Sequence, residues 1–117
     1  MRRDAHRLAD IVDAADAALE FAAGRDRTEL DTDKLLEAGL VQKVVVIGEA
    51  AAGLSEPFRR SYPELPWADM IGMRNVIVHA YWQVDRDELW HTVTDDLPAL
   101  LNLLRPLLAE VDTLDDP

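Results

Sequence analysis

The sequence predicts an all-α protein, a compact bundle of about five helices, and three observations support this. Apolar residues recur at steps of three and four along most of the chain, which is the spacing of one helical face. Prolines, glycines and capping residues stand at the ends of these runs. No two segments share the period-two alternation of paired strands. With 117 residues, we expect residues 1–117 to form a single domain around one core.

The first half of the chain predicts two long helices. The first covers residues 2–23 and ends at Gly24, because glycine commonly follows the last turn of a helix. The polar residues 25–32 then form the connection. The second helix begins within residues 31–33 and ends near Gly53. Residues 44–47 are also compatible with a strand, but a helix is preferred because the chain offers no partner strand.

The second half predicts a short helical turn and at least two further helices. Residues 55–63 form the turn and a loop, and Pro66 stands where the first residue of a third long helix, extending to Tyr81, is expected. Asp85 with Glu88 three residues later is typical of a helix N-cap. Residues 97–111 complete the helical pattern.

Charge and composition restrict the possible functions. Twelve basic and 23 acidic residues give a formal net charge of −11, which argues against DNA and against a broad nucleic-acid-binding face. Any contact with RNA must be a local cationic cleft, which screening over roughly 8 Å would allow on an acidic protein. The basic residues expected to extend such a cleft are Arg59, Arg60, Arg86, Lys43 and Arg105.

Neither a membrane nor a cofactor is expected. No apolar run approaches the ~20 residues that span a bilayer, and the chain contains no cysteine, so a cytoplasmic location is the default prediction. The three histidines are dispersed and lack the His-x3-His spacing of a zinc site. We therefore expect no metal and no other cofactor.

The most informative segment is the third long helix, where polar groups interrupt an apolar sequence. Arg74, Asn75, His79 and Tyr81 lie within a stretch that carries only one further charge, Asp69, from residue 67 onward. A helix so poor in charge is usually buried on most sides. Because 117 residues cannot cover both sides, we expect a second copy of the chain to cover one of them, making a homodimer. The expected interface residues are Ala68, Gly72 and Asn75.

These side chains are suited to phosphodiester chemistry without a metal. Arginine binds phosphate bidentately, and histidine transfers protons near neutral pH. Asparagine can orient the imidazole or hold a phosphate oxygen. For RNA, His79 would accept the 2′-hydroxyl proton or protonate the leaving 5′-oxygen, while Arg74 stabilises the phosphorane. On spacing alone, however, Arg74 and His79 are also compatible with a purely structural pair.

Segments across most of the chain resemble the HepT family of HEPN-domain proteins. They include residues 47–51, 62–67 and 70–75, followed by His79, Tyr81 and residues 96–98. The resemblance implies an all-helical homodimer that acts as a metal-independent endoribonuclease toxin, paired with a minimal nucleotidyltransferase (MNT) antitoxin.

The family motif Arg-x4-His-x-Tyr falls on Arg74, His79 and Tyr81, and Asn75 is the polar residue after the arginine. The resemblance implies that Arg74 and His79 carry out RNA cleavage. It makes Tyr81 the acceptor of AMP groups from the antitoxin. Two other functions stay open, a non-catalytic HEPN module that binds or regulates a nucleotidyltransferase, and a structural dimerisation domain.

Overall fold

The computed structural model describes residues 2–78 and 84–115, and the described chain is almost entirely helical. The α-helices are α1 (Arg2–Ala22), α2 (Lys34–Ala52), α3 (Glu56–Ser61), α4 (Trp67–Val78), α5 (Arg86–His91) and α6 (Leu97–Asp115). A π-helical turn, Thr92–Asp96, joins α5 to α6 without a break. When α5, the π-helical turn and α6 are counted as one continuous helix, the described residues contain five helices. The predicted all-α bundle of about five helices is confirmed.

Capping residues define the helix ends where the sequence placed them. Gly24 follows α1 with φ of +72°, a left-handed conformation that glycine adopts without strain. The side chains of Asp33 and Asp85 accept hydrogen bonds from the backbone N–H groups of Leu36 and Glu88, at 3.0 and 3.1 Å.

One predicted helix boundary and one predicted connection differ slightly from the structure. Pro66 directly precedes the first residue of α4, Trp67, instead of being that residue, a difference of the usual size for helix ends. The polar connection after α1 contains a short 3-10 helix, Arg27–Asp31.

The core forms where α2 packs against both α1 and α4, and where α1 also packs against α6. The four helices contribute apolar faces to one cluster, and complete burial of each large side chain contributes about 1.5–3 kcal/mol. Fully buried members include Leu8, Ile11, Leu40, Ile47, Met70 and Leu104. The central place of α2 fixes α4, and with it Arg74, relative to the rest of the fold.

Polar contacts position the segments that lead into α4. Asp4 is only 4% exposed, and its carboxylate accepts hydrogen bonds from the backbone N–H and the hydroxyl of Ser55, both at 2.8 Å. This joins the start of α1 to the start of α3. The indole N–H of Trp67 donates to the carbonyl oxygens of Arg59 and Tyr62, at 3.1 and 2.9 Å. The first residue of α4 is thereby anchored to α3.

Candidate active site

The structure describes only part of the predicted motif. Arg74 lies on α4 and its side chain is about one-third exposed. Asn75 also lies on α4, although only its backbone is among the described residues. His79 and Tyr81 lie outside the described residues. The geometry of the site that the structure describes is therefore that of Arg74 on α4 and of the α2 residues that contact it.

Gly48 on α2 allows α4 to approach closely at Arg74. A Cβ atom added to Gly48 would lie 2.6 Å from the backbone nitrogen of Arg74 and 2.8 Å from its Cβ. Both distances are shorter than real Cβ contacts, so any larger residue would force the helices apart. The spacing of residues in the sequence did not indicate that Gly48 allows this close approach. The available signal was a glycine within a helix otherwise rich in valine and alanine, which often has a packing reason.

Glu49, the next residue on α2, is the ionic partner of Arg74. Its Oε2 lies 3.6 Å from Nη1 of Arg74, and the two side chains are 63% and 36% exposed. An exposed pair at this distance contributes little to stability. Because the contact is too long for a hydrogen bond, it does not occupy a donor of the guanidinium, and a phosphate group is the ligand that this planar fork fits best.

The Gly72 side of α4 faces a different region. A Cβ atom at Gly72 would meet nothing within 4 Å. Ala68 and Gly72 line a cavity of about 470 Å³ that also involves Leu100 and Leu103 of α6, and Leu103 is 46% exposed. Arg74 and Gly72 thus lie on different sides of α4. The predicted homodimer, with Ala68, Gly72 and Asn75 at its interface, stays a prediction.

Two of the basic residues expected to extend the cleft are instead paired with carboxylates. Nε of Arg86 donates to Glu37 at 2.6 Å. Both terminal nitrogens of Arg105 donate to Asp16, at 2.5 and 3.2 Å. Each pair links residues far apart in sequence, which is why spacing did not reveal it. Because a paired arginine must lose its partner before it binds phosphate, Arg86 and Arg105 are poor candidates for an RNA track.

Comparisons with known proteins decide the family. The model of the HepT-like ribonuclease family matches residues 11–107, well over half of the chain. The chain belongs to the HepT-like ribonuclease family. The match includes Gly48, Glu49 and the whole Arg74 motif, so the geometry described above lies inside the family domain.

Individual relatives agree with this assignment. A protein of Thermococcus cleftensis named "Probable ribonuclease HepT" is 36% identical over 93 residues, covering 80% of this chain and 84% of its own. A Methanocaldococcus jannaschii protein named "Putative RNase MJ1380" is 32% identical over 93 residues, covering 80% and 85%. No solved structure matches the chain with significance.

Two further observations concern the described part of the chain. None of its helices is long and apolar enough to cross a membrane. Its histidine, aspartate and glutamate side chains also form no group of three or more that could hold a metal ion.

Proposed function

We propose that this HepT-like protein is a metal-independent endoribonuclease, and that Arg74 and His79 carry out RNA cleavage with help from Asn75. Family membership and the ribonuclease names of its relatives support the reaction class. The observation that supports the site is the close approach of α2 to α4 at Gly48, which positions Arg74 with its side chain 36% exposed and 3.6 Å from Glu49.

The proposed cleavage step is a transesterification within the RNA backbone. The 2′-oxygen attacks the adjacent phosphorus, the bond from phosphorus to the 5′-oxygen breaks, and a 2′,3′-cyclic phosphate remains. His79 either accepts the proton of the 2′-hydroxyl or donates one to the departing 5′-oxygen. Arg74 binds the non-bridging oxygens, where negative charge develops. Asn75 orients the imidazole or holds a phosphate oxygen.

The test is cleavage of RNA by the purified protein in excess EDTA. We expect products that end in a 2′,3′-cyclic phosphate. His79→Ala should reduce the rate by about 100- to 10,000-fold, the usual contribution of general acid-base catalysis. Arg74→Ala should reduce it by about 100- to 1000-fold, since it removes a charge aimed at the transition state.

The matched control is Arg105→Ala, which removes an arginine of α6 that is bound to Asp16 of α1. Its rate should equal that of the wild type. Cleavage that requires a divalent metal, or His79→Ala with full activity, would contradict the mechanism. A stable complex with a nucleotidyltransferase and no turnover of any RNA would favour the alternative, a non-catalytic binding module.

We further propose that the protein is the toxin of a toxin-antitoxin pair in the cytoplasm and that Tyr81 controls it. The partner, a nucleotidyltransferase of the MNT type, would transfer AMP to the phenol. The tyrosine oxygen attacks the α-phosphorus of ATP and pyrophosphate leaves. An adenylate two residues beyond His79 would place negative charge near Arg74 and compete with RNA phosphate.

Co-expression tests this regulation. The chain alone should arrest growth, and a nucleotidyltransferase encoded beside it should relieve the arrest while adding AMP mass to the protein. Tyr81→Phe keeps the ring but removes the acceptor oxygen, so it should stay unmodified and toxic. Relief of toxicity without any added mass would refute control through Tyr81.

A homodimer is the third part of the proposal, with Ala68, Gly72 and Asn75 at the contact between copies. The open space at Gly72 supports it, because small residues allow close helix approach. Gly72→Leu should convert a dimer to a monomer, measured by sizing coupled to light scattering. Leu103→Met is the control on the neighbouring helix and should leave the mass unchanged. A dimer that persists in Gly72→Leu would place the interface elsewhere.

A further inference from the structure

A group of basic side chains lies on the exposed face of α1, apart from the motif. Arg3, His6 and Arg7 line one shallow depression together with Asp10. Their spacing of three and four residues places them on the same side of the helix. Arg3 and His6 are exposed, and Arg7 is half-buried. Sequence analysis did not include these residues among the expected RNA contacts.

These arginines differ from most others in having no acidic partner. Five arginines, Arg25, Arg27, Arg74, Arg86 and Arg105, form ion pairs with carboxylates. Among the carboxylates whose side chains the structure describes, none has an oxygen within 4 Å of a nitrogen of Arg3 or Arg7. On a protein with a net charge of −11, this depression therefore brings together two arginines and a histidine with one carboxylate, that of Asp10.

The Arg7 end of the depression lies close to the segment of α2 that Arg74 contacts. The guanidinium of Arg7 lies over Gly53, since a Cβ there would lie 2.5 Å from Cζ of Arg7. Gly53 is the C-cap of α2 and follows Glu49 by four residues, so the two lie on the same side of the helix, separated by roughly 6 Å along the axis. Glu49 is the partner of Arg74. Arg7 from α1 and Arg74 from α4 thus reach the same exposed face of α2, one turn apart.

We propose that Arg3, His6 and Arg7 form a second phosphate-binding site, which holds the backbone of single-stranded RNA next to the phosphate that is cleaved. This inference rests on the proposed ribonuclease function. Unpaired arginines bind phosphate with charge-assisted hydrogen bonds and release counterions from the nucleic acid. Screening over roughly 8 Å lets the site act despite the acidic surface elsewhere.

The test measures how RNA affinity depends on salt. The ligand is a single-stranded decanucleotide with 2′-deoxy sugars, which binds but cannot be cleaved. For single strands each phosphate contact contributes about 0.7 to the slope of log K against log salt concentration. The double variant Arg3→Gln/Arg7→Gln should lower that slope by about 1.4. The ratio of the wild-type association constant to that of the variant should then be about sevenfold smaller at 200 mM salt than at 50 mM salt.

A matched control removes the same charge elsewhere. The double variant Arg86→Gln/Arg105→Gln loses two arginines that are paired with carboxylates, and it should keep the wild-type slope. Because Arg7 also contacts the end of α2, Arg3→Gln alone is measured too. Arg3 is exposed, so this single variant should fold normally and still lower the slope by about 0.7.

A dinucleotide substrate separates this site from the catalytic one. It is too short to reach both, so the Arg3→Gln/Arg7→Gln variant should cleave it at the wild-type rate. Wild-type protein that binds and cleaves RNA, with an unchanged slope in both α1 variants, would overturn the second site and leave the proposed function intact. Wild-type protein that neither binds nor cleaves RNA would overturn both.

Discussion

Replacing Gly48 with alanine should push α2 away from α4 at Arg74. The new methyl group would lie 2.6 and 2.8 Å from two atoms of Arg74 that no side-chain rotation can move. Overpacking of this kind costs about 1–3 kcal/mol, while alanine regains about 0.8–1.0 kcal/mol of helix propensity over glycine. We expect a net loss of up to about 2 kcal/mol in the free energy of unfolding. For a chain of this length that lowers Tm by up to about 8 °C.

The same change should also reduce the rate of RNA cleavage. Under the proposed mechanism Arg74 is a catalytic group, and displacing such a group by ~1 Å can cost about 100-fold in rate. We therefore expect a loss of about 10- to 100-fold at a temperature where the variant is folded. Thermal unfolding followed by circular dichroism gives the first quantity, and initial rates of RNA cleavage give the second.

Gly39→Ala is the control because it makes the same change in the same helix. Its Cβ would lie 3.1 Å from a ring carbon of Phe21, and that side chain is 41% exposed and can move aside. Gly39→Ala should therefore leave Tm unchanged or raise it by a few degrees. If Gly48→Ala is as stable and active as Gly39→Ala, the close approach does not position Arg74.

Two further predictions concern stability. Asp4→Ala should lower the free energy of unfolding by about 2–4 kcal/mol in chemical denaturation, since Ser55 loses a charged acceptor for two hydrogen bonds, and a wild-type midpoint would contradict this. The backbone N–H of Asp26 lowers the pKa of Glu29, and the side chain of Arg25 lowers that of Asp33. Both contributions are present above the unfolded pKa of about 4 and are lost as pH falls through the lower folded values. Asp33→Asn should therefore lose less Tm on acidification from neutral pH to about pH 3 than wild type does, and an equal loss would refute the assignment.

Local signals predicted most of the fold. Asp33, Gly53 and Asp85 mark helix ends because their side chains or backbone satisfy groups that the helix leaves unpaired, a requirement that acts within a few residues. The apolar spacing of α1 likewise specifies which face is buried. The same reading placed Arg74, His79 and Tyr81 on one helix, and the structure confirms this for Arg74.

The surroundings of Arg74 could not be predicted in this way. Its neighbours Gly48 and Glu49 lie about 25 residues earlier, and only the crossing of α2 and α4 brings them together. The pairing of arginines depends on contacts of the same kind: Arg105 meets Asp16 across 89 positions of sequence. Local spacing carries no record of such contacts.

The sequence by itself determined an all-helical chain and a motif whose side chains suit phosphodiester chemistry, because periodicity, capping and residue chemistry are local properties. Only the tertiary structure decided which arginines have a carboxylate beside them. That outcome depends on which helices cross, since crossing brings carboxylates to Arg86 and Arg105, places Arg74 3.6 Å from Glu49, and brings no described carboxylate within 4 Å of Arg3 or Arg7.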